Sequence, residues 1–150
     1  MATIKTPDNF PEKVVSDFLH ALEIQDYETA ERLLHPDIRY TNVSLPTIKG
    51  DKRVGRLIRL ALRRGTGFAV QIHEMASNGN VVLTERTDIL KVGPLHVGFW
   101  VCGRFQVQNG QIIVWRDYFD WMSISKGTLK GLAGTLIPGL RPKLPVELNS

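Results

Sequence analysis

The stretch TGFAVQIHEMASNGNVVLTERTDILKVGPLHVGFWVCGRFQVQNGQIIVWRDYFDW, from Thr66 to Trp121, decides the fold. Phe68, Val70 and Ile72 alternate with small or polar residues, which is the period of a strand and not of a helix. Asn78-Gly79 and Asn109-Gly110 are hairpin signals, because tight turns that match strand twist need left-handed backbone angles. Gly93-Pro94 breaks the chain between them. The pattern predicts a strand from Thr66, a return strand over Val81–Leu90, a third over Leu95–Val107 and a last over Ile112–Trp121.

Upstream of this stretch the period is helical. Asn9, with Glu12 three residues on and Pro11 in the first turn, reads as a capped helix start. Val14, Val15, Phe18 and Leu22 continue it to about Ile24. Asp26 caps a short second helix, which His35-Pro36 ends, since the residue before proline avoids helical angles. Asp37–Val43 reads as a strand with Ile38, Tyr40 and Asn42 on one face, and Leu45 to Gly50 as loop. Asp51–Arg64 is a third helix with Val54, Leu57, Ile58 and Ala61 as its stripe and Gly65 as its C-terminal cap. Beyond the sheet, Leu129, Leu132, Leu136 and Ile137 share a helical face, but Gly127, Gly131, Gly134 and Pro138 argue for a loose or short helix. Three helices followed by long antiparallel strands predict an α+β domain: a curved, antiparallel-rich mixed sheet forming a cone-shaped barrel with a pocket inside. Residues 1–150 read as one domain, with 126–150 a tail that covers the pocket or a subunit interface.

Apolar residues make up 43% of the chain and charged residues 23%, the balance of an ordinary globular domain and not of a disordered one. Cys102 stands alone, which excludes an internal disulfide and a thiolate zinc cluster. No secretory signal and no span long enough for a bilayer is visible, so a cytoplasmic location is expected. The net charge of +4 gathers in Lys49, Lys52, Arg53, Arg56, Arg59, Arg63 and Arg64. These read as a solvated face of the third helix, and without interleaved aromatics no nucleic-acid partner is expected.

Two stretches carry the chemistry. In Thr84-Glu85-Arg86-Thr87-Asp88 the charged residues Arg86 and Asp88 leave the same strand face as apolar Val82 and Leu90. In Trp115-Arg116-Asp117-Tyr118-Phe119-Asp120, Asp117 shares its face with Trp115, Phe119 and Trp121. Charges on apolar faces must be matched, because an unpaired buried charge is very costly. Arg86 fits as the shared partner, since a guanidinium bonds two carboxylates at once. From these residues alone a purely structural ion network and a catalytic one both remain open. His20, His35, His73 and His96 are scattered and form no metal motif.

Tyr40-Thr41-Asn42 with Leu45-Pro46 and Gly50, the Arg86-x-Asp88 strand, and the Trp115 to Asp120 motif together resemble the limonene-1,2-epoxide hydrolase family, in its order and spacing, from about Phe10 to Trp121. The resemblance implies the cone fold of nuclear-transport-factor-like proteins and hydrolysis of a hydrophobic epoxide to a diol. It makes Asp117 the general base, Asp88 the acid that protonates the epoxide oxygen, Arg86 the bridge between them, and Tyr40 and Asn42 the holders of the attacking water. Such chemistry needs one neutral and one charged carboxyl at the same pH, which a low-dielectric pocket favours. Ring strain supplies much of the driving force, so no cofactor or metal is expected. The glycine-rich tail departs from the limonene-active pattern and suggests a larger substrate. Apolar content on both sheet faces suggests a homodimer. The rivals are an isomerase or polyketide cyclase on the same cone, needing only one carboxylate base, and a non-catalytic binding module.

Overall fold

A computed structural model describes residues 10–137 and Gly139. The proposed Asn9 cap, Pro138 and the last residues of the tail lie outside the described residues. The elements run α1 (Phe10–Glu23), α2 (Tyr27–Arg32), β1 (Leu34–Asn42), β2 (Ile48–Lys49), α3 (Asp51–Ala61), β3 (Thr66–Asn78), β4 (Val81–Val92), β5 (Leu95–Gln108), β6 (Gln111–Phe119) and α4 (Trp121–Leu136). Among the described residues no helix is long and apolar enough to cross a membrane.

The strands form one mixed sheet in the order β2-β1-β6-β5-β4-β3. All neighbours are antiparallel except β1 and β6, which run parallel. Asn109 and Gly110 hold φ of 50° and 77°, the left-handed pair that a two-residue hairpin requires. Register shifts in β1 between Leu34 and Arg39, in β3 between Ile72 and Glu74, and in β6 between Ile112 and Val114 bend the sheet, because each bulge adds local twist. The edges β2 and β3 do not pair with each other, so the cone is an open curved sheet and not a closed barrel.

Helix α1 lies across the concave face and touches β3, β4, β5 and β6. It buries Val14, Val15, Phe18, Leu19 and Leu22, whose spacing puts them on one side of a 3.6-residue turn. Phe18 meets Trp115 edge-on at 5.0 Å, and Phe105 stacks beneath that indole at 6.3 Å. Asp26 caps α2 as expected, accepting from the Thr29 N–H at 3.1 Å. Of the cations in and just after α3, Arg59 pairs with Glu31 at 2.9 Å and its guanidinium lies over the Tyr27 ring; Lys52, Arg53, Arg56, Arg63 and Arg64 are exposed.

Beyond shifts of one or two residues at strand ends, the structure departs from the sequence reading in β1, β2, α3 and β6. β1 begins at Leu34, ahead of His35-Pro36, because the bulge between Leu34 and Arg39 excuses the proline from donating to the ladder. The short strand β2 lies in the stretch expected to be loop, pairing Ile48 with Tyr40. α3 stops at Ala61, short of Arg64, and Gly65 takes a φ of 87° in the turn that follows. β6 stops at Phe119, so Trp121 opens a helix instead of ending a strand; Asp120 caps that helix by accepting from the Met122 N–H at 2.9 Å.

The largest departure is α4, a regular helix of 16 residues where glycines argued for a loose one. β6 pairs with β5 only from Val101 onward, so residues 95–100 of β5 overhang it, and α4 packs there. A Cβ on Gly127 would lie 2.0 Å from the Gly98 carbonyl oxygen, and one on Gly131 would lie 2.2 Å from that of His96. The glycines are contact points against a strand edge and not helix breakers. Alanine is about 1 kcal/mol better than glycine in a free helix, whereas overpacking against rigid backbone costs about 1–3 kcal/mol. Gly127→Ala is therefore expected to destabilise the protein in denaturant melts, opposite in sign to its helix propensity.

Candidate active site

The concave face holds a cavity of about 210 Å³. Leu19 and Leu22 of α1, Leu57, Ile58, Ala61 and Leu62 of α3, and Phe68, Leu90, Phe99, Trp115 and Phe119 of the sheet supply its apolar wall. Its polar groups are Tyr40, Asn42, Arg86, Asp88 and Asp117, so all five residues singled out from sequence line one space. Phe68, Phe99, Trp115 and Phe119 line the cavity, while Leu95, Trp100 and Phe105 stay out of its lining. Phe105 lies in the core under Trp115. Trp100 is on the outer face, donating to Glu85 Oε1 at 3.1 Å. No described residue of α4 lines the cavity. A surface groove of about 350 Å³ between Glu31, Pro36, Asp51 and Gln111 contains none of these groups, and its charged lining is already paired in part through Glu31 and Arg59.

Strand register brings the polar groups together. Asn42 of β1 sits beside Asp117 of β6, and Asp117 beside Gly103 of β5. Arg86 and Asp88, two apart on β4, face the same way as Asp117. Arg86 is 1% exposed, Asp88 4% and Asp117 3%. Arg86 Nε donates to Asp88 Oδ1 at 2.9 Å, and Nη2 donates to Asp117 Oδ2 at 2.8 Å. Nη1 donates to Thr84 Oγ1 at 3.3 Å. The Tyr40 hydroxyl donates to Asn42 Oδ1 at 3.0 Å, and its ring packs on Trp115 at 4.1 Å. Asp117 Oδ1 is buried without a hydrogen-bond partner among the described residues, a costly state for a carboxylate oxygen unless something else donates to it.

The electrostatics follow from this burial. Desolvation opposes the charge on Arg86, but Asp117 and Asp88 outweigh it and hold the guanidinium protonated well beyond its ordinary range. Burial pushes the Asp88 carboxyl up to about 6, against the pull of Arg86 and with help from the charge of Asp117. Burial, and then Asp117, also raise the Tyr40 hydroxyl, so it remains a donor. Two carboxyls and one cation share a buried site, and one of the carboxyls, Asp88, is raised toward neutral pH.

A sequence model of the limonene-1,2-epoxide hydrolase catalytic domain matches residues 9–130. The chain belongs to the limonene-1,2-epoxide hydrolase family. The epoxide hydrolase EphG of Mycobacterium tuberculosis is 45% identical over 130 residues, 87% of each chain. A solved LEH-like epoxide hydrolase of M. tuberculosis is 42% identical, with a TM-score of 0.88 over 92% of this chain and 98% of that one. An NTF2-like protein of unknown function from Cytophaga hutchinsonii, 21% identical with a TM-score of 0.63 over 80% of this chain and 95% of its own, shows the fold alone.

Two residues of the site were not given a role from sequence. Thr84 stood inside the quoted motif as an unremarked hydroxyl. Gly103 stood unnoticed inside a strand, where an isolated glycine marks close approach by another group. Most of the cavity wall from α1 and α3 was also missed, because one helical stripe serves core and pocket alike.

The buried triad sets a stability test. Removing its cation leaves two buried carboxyls uncompensated, which costs about 3–5 kcal/mol when they are charged. Asp88, already raised, would rise further in Arg86→Met. A raised carboxyl contributes stability that is fully present below the ordinary carboxylate pKa and lost as pH rises through the folded value. The deficit of Arg86→Met against wild type should therefore be large at pH 8 and shrink toward pH 5 in urea melts.

Proposed function

We propose that this epoxide hydrolase opens a hydrophobic epoxide to a vicinal diol in one displacement, with Asp117 as base and Asp88 as acid. Epoxide hydrolysis itself follows from its family. The observation that supports the division of labour is the single buried guanidinium shared by two carboxylates, with Asp117 Oδ1 uncommitted. Water attacks a ring carbon from the side opposite the breaking C–O bond. Asp117 takes the proton that the water loses, and Asp88 gives its proton to the epoxide oxygen as the bond opens. The product holds all atoms of epoxide and water, and proton exchange with solvent resets the two carboxyls. In the proposed arrangement Asn42, its carbonyl engaged by Tyr40, turns its amide N–H toward the water, and Tyr40 fixes that orientation. Arg86 is the counterion that both carboxyls share, and Asp88, raised to about 6, holds its proton below that pH.

The apolar wall favours a hydrophobic epoxide of the terpene, fatty-acid or sterol type over a polar one, since each buried methylene contributes about 0.8 kcal/mol. We further propose a homodimer formed through the outer sheet face and α4, where Trp100, Tyr118, Met122, Leu129 and Leu136 are exposed. The free thiol of half-buried Cys102 suits the reducing cytoplasm, our proposed location. Residues 1–150 act as one catalytic domain in this proposal, with the tail serving the dimer contact.

Single turnover in heavy-oxygen water with enzyme in excess tests the mechanism. Direct attack puts the label into every diol at once. An aspartyl ester would put unlabelled carboxylate oxygen into the first diol, and that result would refute the one-step route. Asp88→Asn and Asp117→Asn should each lower kcat by about 100-fold or more, because amides keep the shape but exchange no proton. Tyr40→Phe should cost about tenfold or less, the scale of one hydrogen bond. Since Asp88 must be protonated and its pKa is about 6 in the free enzyme, kcat/KM should fall about tenfold per pH unit above that value. A profile flat to pH 9 would remove Asp88 from the acid role.

A further inference from the structure

We propose that Thr84 and Gly103 form a seat that holds Arg86 across β5, making them positioning residues for the acid–base pair. The proposal rests on the chemistry above. Thr84, Gly103, Asp117 and Asn42 lie in register along one row across β4, β5, β6 and β1. Arg86 is rooted one step along, opposite Val101. To reach Asp117 on β6 from β4, its side chain must cross β5, and it crosses at Gly103. A Cβ there would stand 2.3 Å from Arg86 Nη1, 2.8 Å from Thr84 Oγ1 and 3.0 Å from the Phe105 ring. Gly103 has no left-handed φ, so its backbone does not call for glycine. The space above it does.

Thr84 completes the seat. It is 2% exposed, and its hydroxyl accepts from Nη1 on the side of the guanidinium away from Asp117. With Nε given to Asp88, Nη2 to Asp117 and Nη1 to Thr84, the planar group is pinned at three corners. It cannot turn to offer either carboxylate a full two-toothed pair, the strongest arrangement open to it. Each carboxyl receives a share of the cation, so the pull that Arg86 exerts on the Asp88 proton is limited. The titratable groups facing Arg86 are Asp88 on β4, Asp117 on β6 and Tyr40 on β1. β3 and β5 present apolar Ile72 and Val101 beside it, and α1 and α3 present leucines and Ile58. The carboxylate of Glu23 on α1 accepts from the Val70 N–H on β3, next to Asp88 in register.

The test uses Thr84→Val, which keeps the shape and loses the acceptor, and Thr84→Ser, which keeps the acceptor. The Asp88 carboxyl is followed by carbon-13 NMR across pH in the intact protein, alongside kcat. Freed of its third corner, Arg86 turns toward the carboxylates, so the Asp88 midpoint should drop by about half a unit or more in Thr84→Val. It should return in Thr84→Ser, with kcat at pH 8 following the same order. Gly103→Ala, if folded by near-UV circular dichroism, should lose about tenfold or more in kcat with KM nearly unchanged. A merely structural threonine would lower the melting temperature of Thr84→Val and leave the Asp88 midpoint in place, and that result overturns the seat. A midpoint shift in a protein whose Asp88→Asn variant still makes diol would leave the seat standing and refute the acid–base assignment instead.

Discussion

The structure depends on one buried cation. Arg86 is among the largest side chains hidden from solvent, and its burial is tolerable only because two carboxylates and a hydroxyl meet its donors. Each carboxylate is in turn tolerable only because of Arg86. The requirement is mutual, so β4, β5 and β6 must hold a single register. A slip of one residue would turn every charge on one strand to the opposite face.

That constraint explains the architecture around the site. Long strands with hairpin turns deliver Arg86, Asp88 and Asp117 to neighbouring positions, and bulges curve the sheet so that its concave face becomes a cavity. α1 and α3 close the cavity with leucine and isoleucine, which lowers the dielectric around the carboxyls. The same dryness that makes the cluster expensive raises Asp88 toward neutral pH, where an acid is useful. In the proposed mechanism, cost to folding and fitness for catalysis have one physical origin.

Glycine plays two opposite parts in this chain. At Asn109-Gly110 it serves backbone conformation, as the turn type demands. At Gly103, Gly127 and Gly131 it serves space: a guanidinium crosses over the first, and strand carbonyls press against the other two. Only the first use has a local sequence pattern. The others appear as unexplained glycines in a strand and in a helix, and the helical ones were read as breakers for that reason.

Alternation and turn chemistry by themselves determined the long strands, the α+β class and the shared face of Arg86 and Asp88, because side-chain direction in a strand is set by local geometry. Alternation also singled out Asp117 as a charge on an apolar face, and motif spacing carried the family and the candidate residues Tyr40 and Asn42. What only the tertiary structure decided was partnership. The pairing of β1 parallel to β6, which sets Asn42 beside Asp117, joins residues far apart in the chain. So does the crossing of Arg86 over Gly103, and so does the docking of α4 on the overhang of β5. Local sequence cannot specify such contacts, since they depend on which strands become neighbours and on which atoms are then forced into the same space.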